Sequence, residues 1–177
     1  MPDTPLVDLV AEAGAWDEAA LSDLAERAAR ATLTHLGHAP DGYEIALLAC
    51  DDARIADLNA RFRGKPSATN VLSWPAWDLS AETDGALPEA PEPGTPEDPE
   101  ALGDIALAYQ TCAQEARVQG KPFDAHLTHL VVHAVLHLLG YDHMRDKDAA
   151  LMEKTECAIL AELGVADPYE AGAEMPL

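Results

Sequence analysis

Three histidines of this 177-residue chain, His133, His137 and His143, have the spacing of metal ligands. Side chains four residues apart lie one turn above another on a helix, with backbone positions about 6 Å apart along the axis. His133 and His137 can therefore direct ring nitrogens at one ion. Gly140 follows the last apolar residue, where a left-handed glycine commonly ends a helix. The chain can then fold back so that His143 supplies a third nitrogen.

Three neutral nitrogen ligands without a cysteine favour zinc, although nickel, copper and iron also accept imidazole. A tetrahedral ion with three protein ligands keeps one position for water, and it can lower the pKa of that water to about 7. The spacing therefore predicts a catalytic site with one Zn²⁺ rather than a structural one. The alternative is that these histidines are core residues that hydrogen-bond to their neighbours.

Two further histidines, His126 and His129, precede the ligand pair on the same helical stripe. A ligand set of His129, His133 and His137 is disfavoured, because the outer two would be about 12 Å apart on a straight helix. We therefore expect His126 and His129 to lie behind the ligands or along a cleft beside them.

A zinc protease would carry a general-base glutamate directly after the first histidine, and this chain has Ala134 there. Asp142, beside the third histidine, is the nearest carboxylate in the motif. It could orient or deprotonate a water molecule at the ion. It could equally serve as a turn or capping residue.

The elements that must position these residues follow from apolar periodicity and from glycine and proline breaks. The apolar residues around the histidine stripe predict a helix buried in the core. We predict an α/β or α+β fold, with a small mixed sheet flanked by helices around this buried helix. The predicted helices span 16–36, 51–62, 110–118, 123–139 and 146–163, and the predicted strands span 43–50, 71–74 and 104–108.

Length and composition predict one domain over 1–177, since the chain is 48% hydrophobic and long enough for one core. The segment from about 76 to 102 is rich in proline and acidic residues and has no lysine or arginine. Such a composition predicts a flexible acidic loop. We also expect a flexible tail over about 164–177.

The formal net charge of -21 opposes binding to nucleic acid, because phosphate binding depends on lysine and arginine. Three of the chain's 11 basic residues, Arg61, Arg63 and Lys65, nevertheless lie within five positions. They could form a local positive patch on an acidic protein. They could equally be a solvated loop end.

The compartment is predicted from cysteine use and from the absence of targeting features. Cys50, Cys112 and Cys157 are far apart and form no CxxC pair, which is typical of a reducing cytoplasm. The first residues lack the basic and apolar regions of a signal peptide. No apolar run reaches the roughly 18 residues of a membrane span, so we expect no membrane partner.

Three separated segments together resemble the YbeY family of bacterial endoribonucleases, the rRNA maturation factors. They are LNARFRGKPSATNVLSWP from Leu58, GDIALA from Gly103 and HLVVHAVLHLLGYDH from His129. The resemblance covers about 16–163. It departs from the usual family residues at three positions, all small or conservative changes: Ala134 for glycine, Phe62 for tyrosine and Trp74 for phenylalanine.

The resemblance carries over to individual residues. The family's HGxLHLxGYDH block falls on 133–143, so His133, His137 and His143 match its metal ligands. The arginine of its LNxxYRGK segment matches Arg63, which the resemblance implies is important for RNA handling or catalysis.

The activity that the resemblance implies is that of a metal-dependent, single-strand-specific endoribonuclease. It would act in small-subunit rRNA processing and ribosome quality control, with single-stranded RNA, rRNA and the ribosome as partners. Thr69, Asn70 and Ser73 could be polar groups of the cleft, and Thr69 and Asn70 could equally be turn residues. Two alternatives stay open, namely a metal-dependent hydrolase of a non-RNA substrate such as a peptide or ester, and a ribosome-associated factor with a structural metal.

Overall fold

The computed structural model describes residues 5–169. Its strands are β1 (Val7–Ala11), β2 (Tyr43–Cys50), β3 (Val71–Pro75) and β4 (Glu100–Ala108). They form a mixed sheet in the order β1, β2, β4, β3. The β1–β2 and β2–β4 pairs are parallel, and β3 is antiparallel to β4.

Helices flank this sheet as the sequence predicts, and the α+β fold class is confirmed. They are α1 (Glu18–His35), α2 (Asp52–Arg63), α3 (Tyr109–Gln119), α4 (Phe123–Leu138) and α5 (Asp146–Glu162). Within residues 5–169, none of the helices is both long enough and apolar enough to cross a membrane.

The histidine-bearing helix α4 lies at the centre of the fold, in contact with α1, α3, α5 and the sheet. Burial of one Leu, Ile or Val side chain stabilises a fold by about 1.5–3 kcal/mol. The buried apolar residues of α4 therefore hold its histidines in place. Its buried aliphatic residues are Leu127, Leu130, Val131, Val132, Val135, Leu136 and Leu138.

The end of α4 turns the chain back toward its own last turn. Gly140 has a φ of +99°, a left-handed conformation that favours glycine. The backbone N–H of Gly140 donates to His137 and that of Tyr141 to Leu136, the hydrogen-bond pair of a Schellman motif. A side chain at Gly140 would collide with the backbone of Leu79. This turn delivers His143 to the end of the helix.

One strand was not predicted, and one predicted strand boundary is wrong. The strand β1 was not predicted, because four of its five residues are apolar, which conceals the alternation in burial, and because its partner β2 is distant in sequence. The strand β4 begins at Glu100 rather than at 104, so the acidic loop ends before 100. A register shift between β2 and β4 interrupts the alternation near Gly103 and conceals the start of the strand.

The acidic loop is attached to the body of the protein by specific hydrogen bonds. The hydroxyl of Tyr43 donates to the carbonyl of Pro91 at 2.9 Å. The guanidinium of Arg145 donates to the carbonyls of Ala81 and Glu82, both at 2.8 Å. These contacts hold the loop against the start of β2 and the N-terminus of α5.

The predicted tail has a packed portion. Within 164–169 the hydroxyl of Tyr169 donates to the carboxylate of Glu156, a residue of α5. The rest of that tail, 170–177, lies outside the described residues.

Candidate metal centre

His133, His137 and His143 converge at the end of α4. Each offers one ring nitrogen, and the three nitrogens lie within 4.8 Å of one another. The Nε2 atoms of His133 and His137 are 3.2 Å apart. Two ligands of a tetrahedral zinc ion at about 2.0–2.1 Å from the metal would be about 3.3 Å apart. The donor set therefore fits a zinc-sized ion.

Burial favours the neutral form that a ligand requires. The pKa of His137 is lowered to about 4, first by burial and then by the neighbouring His133 and His143. A neutral imidazole keeps a lone pair for a metal. The two half-buried rings belong to α4, while the exposed His143 comes from the turn that follows.

A buried carboxylate lies behind the first ligand. Glu156 of α5 has no exposed side-chain surface, and its Oε2 is 2.6 Å from Nδ1 of His133. Burial by itself raises the pKa of Glu156, but hydrogen bonds from His129 and His133 outweigh it and lower that pKa to about 2. Because an ionised carboxylate only accepts, Nδ1 of His133 carries the proton, and its Nε2 is left free for an ion.

The same carboxylate accepts from two more side chains. Nε2 of His129 lies 3.1 Å from Oε1 of Glu156, and the Tyr169 hydroxyl donates to that oxygen. His129, His133 and Glu156 also satisfy the spacing of a metal-ligand group. The 2.6 Å contact is a hydrogen-bond distance, shorter than two ligands of one ion would keep, so we interpret this group as a hydrogen-bonded chain.

His126 and His129 do not line the cleft that contains the three ligands. They border a separate cavity of about 440 Å³. His126 is buried, and its Nε2 lies 2.8 Å from a carboxylate oxygen of Glu115. Glu115 also accepts from the side-chain amide of Asn70. His129 shares Glu156 with the ligand His133, whereas His126 pairs with Glu115.

The ligand nitrogens open onto a cleft of about 710 Å³. Arg63, the last residue of α2, reaches this cleft, and its Nη2 donates to the carbonyl of Ser73 at 2.7 Å. Asn70 and Ser73 also line the cleft, whereas Thr69 does not. The strand β3 thus brings an arginine from α2 and the histidines of α4 to one surface.

Asp142 lines the cleft beside the third ligand. Its Oδ1 accepts the backbone N–H of His143 at 2.7 Å, which fixes the turn that carries this ligand. One carboxylate oxygen of Asp142 therefore stabilises the turn, which is one of the two roles that the sequence allows. The other remains available for a proton in the cleft.

Glu156 and Tyr169 were not anticipated from the sequence. A signal for Glu156 exists, because it falls on the stripe of α5 that is otherwise apolar: Met152, Ile159 and Leu160. A carboxylate at a core position needs a partner, and histidines on a neighbouring helix can provide one. No comparable pattern marks Tyr169.

The protein-family model described as endoribonuclease YbeY matches residues 9–164 of the chain. The chain belongs to the YbeY family. The family predicted from the three sequence segments is therefore confirmed. Its enzyme class is endoribonuclease, a hydrolase of RNA phosphodiester bonds, as the resemblance implies.

Relatives across the whole length support this membership. The endoribonuclease YbeY of Dinoroseobacter shibae is 54% identical over 96% of this chain and 94% of its own. The endoribonuclease YbeY of Ruegeria pomeroyi is 58% identical over 92% of this chain and 97% of its own. The endoribonuclease YbeY of Rhodopseudomonas palustris is 45% identical over 93% of this chain and 81% of its own.

A solved structure shares the fold of this YbeY protein. The solution structure of a Thermotoga maritima protein is similar with a TM-score of 0.53, over 93% of this chain and 99% of its own. Its identity is 19%, so this likeness concerns the fold alone.

Proposed function

We propose that this YbeY protein is a metal-dependent endoribonuclease that cleaves single-stranded RNA in the cytoplasm, with zinc held by His133, His137 and His143. Its proposed role is small-subunit rRNA maturation and ribosome quality control. The observation that carries the proposal is three convergent imidazole nitrogens in one cleft with an arginine. The endoribonuclease name of the relatives supports the choice of RNA.

A zinc ion held by His133, His137 and His143 would supply Lewis acidity toward a phosphate and would lower the pKa of a bound water molecule. The protein's own groups orient the substrate and move the proton. Arg63 is held by the carbonyl of Ser73, and its remaining N–H groups can donate to two phosphoryl oxygens at once. The charge that develops on these oxygens during attack is stabilised by the guanidinium.

Asp142 is the carboxylate of the cleft next to the ligands, and its free oxygen is the candidate acceptor for a proton from the attacking water. Glu156 has a positioning role, because it fixes the ring of His133 without reaching the cleft. Ala134, at the position of a zincin base, cannot accept a proton. The proposed proton acceptor, Asp142, instead lies in the turn after α4.

The test is cleavage of labelled RNA by protein of measured metal content. We expect zinc at about one per chain and cuts within single-stranded RNA, with little cutting of a duplex of the same sequence. Peptide and ester substrates are the controls. Cleavage of a peptide without cleavage of RNA, abolished in His137→Ala, would assign the site to another hydrolase reaction.

A further inference from the structure

An exposed tryptophan lines the cleft that contains the candidate metal ligands. Trp77 lies just after β3 and has 54% of its surface exposed. Tryptophan is enriched at binding surfaces, because its ring is apolar while its N–H can keep a polar partner. The other two tryptophans are packed in the protein, Trp16 against Tyr109 and Trp74 against Phe62.

The indole of Trp77 is attached by its edge. Its Nε1–H donates to the carboxylate of Glu100 at 3.2 Å, at the start of β4. The preceding residue, Ala76, donates its backbone N–H to Leu102 at 3.0 Å. One contact to β4 holds the ring and the other holds the backbone beside it. An edge-on hydrogen bond leaves the ring faces available for stacking.

The charge of the protein favours an uncharged contact to RNA. The chain has a formal net charge of -21, which repels phosphates over long range. Among the described residues that line the cleft, Arg63 is the sole lysine or arginine, while Asp78 and Asp142 are acidic. Phosphate neutralisation by one arginine supplies little affinity. Base stacking on an aromatic ring is worth about 1–3 kcal/mol per base and does not depend on charge.

We propose that Trp77 is a stacking platform for one unpaired nucleobase of the RNA substrate. The inference rests on the proposed function and names the group that holds RNA beside the metal ligands. A base in a duplex is stacked between its neighbours and cannot lie on the indole, whereas a single strand can turn a base out. Stacking on Trp77 thus contributes to selection of single strands.

The test uses an uncleavable single-stranded 2′-O-methyl oligoribonucleotide and the metal-loaded protein. Trp77→Ala is expected to weaken binding about 5- to 150-fold, and Trp77→Phe to restore most of it, because the ring face is retained. The matched control is Leu87→Ala, an exposed apolar residue of the same loop outside the cleft. That control is expected to bind like the unaltered protein.

Two further readouts separate stacking from a structural role. Oligonucleotide should quench the exposed indole of the unaltered protein, and most of this quenching should be lost in Trp77→Phe. With cleavable RNA, Trp77→Ala should raise KM while kcat changes little. Far-UV circular dichroism verifies that each variant is folded.

The outcomes distinguish this inference from the proposed function. Trp77→Ala that binds and cleaves single-stranded RNA like the unaltered protein overturns the stacking platform and leaves the endoribonuclease proposal standing. Weak binding by Trp77→Phe as well as Trp77→Ala also overturns it, because the aromatic face would not be the cause. Unaltered, metal-loaded protein that neither binds nor cleaves RNA overturns both.

Discussion

Glu156 accepts a hydrogen bond from Nδ1 of His133 at 2.6 Å, on the side of the ring opposite the nitrogen that faces His137. The carboxylate has no exposed surface, and its pKa is lowered to about 2 in spite of burial, so it is ionised at neutral pH. A buried negative charge behind an imidazole makes the far nitrogen a better donor to a cation. The contact thus links the core of α5 to the candidate metal centre.

The substitution Glu156→Gln tests this link, because it keeps the shape of the side chain and removes its charge. We expect metal affinity to fall about 10- to 100-fold, as for other groups that orient a ligand histidine. Competition with a chromophoric zinc chelator measures the change. The matched control is Glu162→Gln on the same helix, which contacts His35 instead. Equal zinc affinity in the two variants would contradict a positioning role for Glu156.

Removal of the metal should abolish cleavage without unfolding the protein. The three ligands come from one helix and the turn after it, while the core is formed by apolar residues of α1, α4, α5 and the sheet. We expect chelated protein and His133→Ala to keep their far-UV circular dichroism and to lose at least about 100-fold in RNA cleavage. Collapse of the spectrum on chelation would instead favour a structural metal.

Substitution of Arg63 should reduce catalysis and spare the metal. Arg63→Ala is expected to lower kcat/KM about 100-fold, since one charge-stabilising donor in a cleft has an effect of this size. Arg63→Lys should recover little, because an ammonium cannot donate in parallel pairs. Arg61→Ala is the matched control, since Arg61 contacts Asp57 and does not line the cleft. RNA cleavage and zinc content are measured on the same preparations. An equal loss of cleavage in Arg63→Ala and Arg61→Ala would indicate that overall positive charge, and not the position of Arg63, supports catalysis.

The parts of the site that could be predicted are those encoded locally. His133 and His137 are one turn apart on one helix, and Gly140 ends that helix, so the convergence of the three histidines follows from short-range geometry. The presence of Arg63 in the same cleft depends on packing of α2 against the sheet, and it was anticipated through family resemblance rather than physics. Residue spacing encodes no such long-range contact.

The same distinction explains what was missed in the fold and around the site. Glu156 meets His133 only after α5 packs on α4, and Tyr169 then meets Glu156 from beyond α5. No local pattern specifies either contact. The strand β1 is short and pairs with β2, which lies more than 30 residues away. Pairing of distant segments is decided by burial of the whole core, which single-sequence periodicity does not contain.

A buried histidine and its carboxylate partner give the protein a predictable response to acid. Nε2 of His126 lies 2.8 Å from Glu115. Burial raises the pKa of Glu115, but hydrogen bonds from His126 and Asn70 outweigh it, and the net pKa lies below the usual value. A carboxyl whose pKa is lower in the folded protein contributes stability above its unfolded pKa of about 4.3. That stability is lost as the pH falls through the folded pKa.

The variant Glu115→Gln should therefore be less stable than the unaltered protein near neutral pH, by about 1–3 kcal/mol for loss of a charged hydrogen-bond partner. The deficit should shrink as the pH falls below about 4.3, because the carboxyl of the unfolded chain is protonated first and the folded carboxyl follows at lower pH. Urea unfolding of both proteins at a series of pH values measures the free energy of unfolding. A deficit that stays constant from neutral pH to below pH 3 would show that the amide disturbs packing and that the charge of Glu115 contributes nothing.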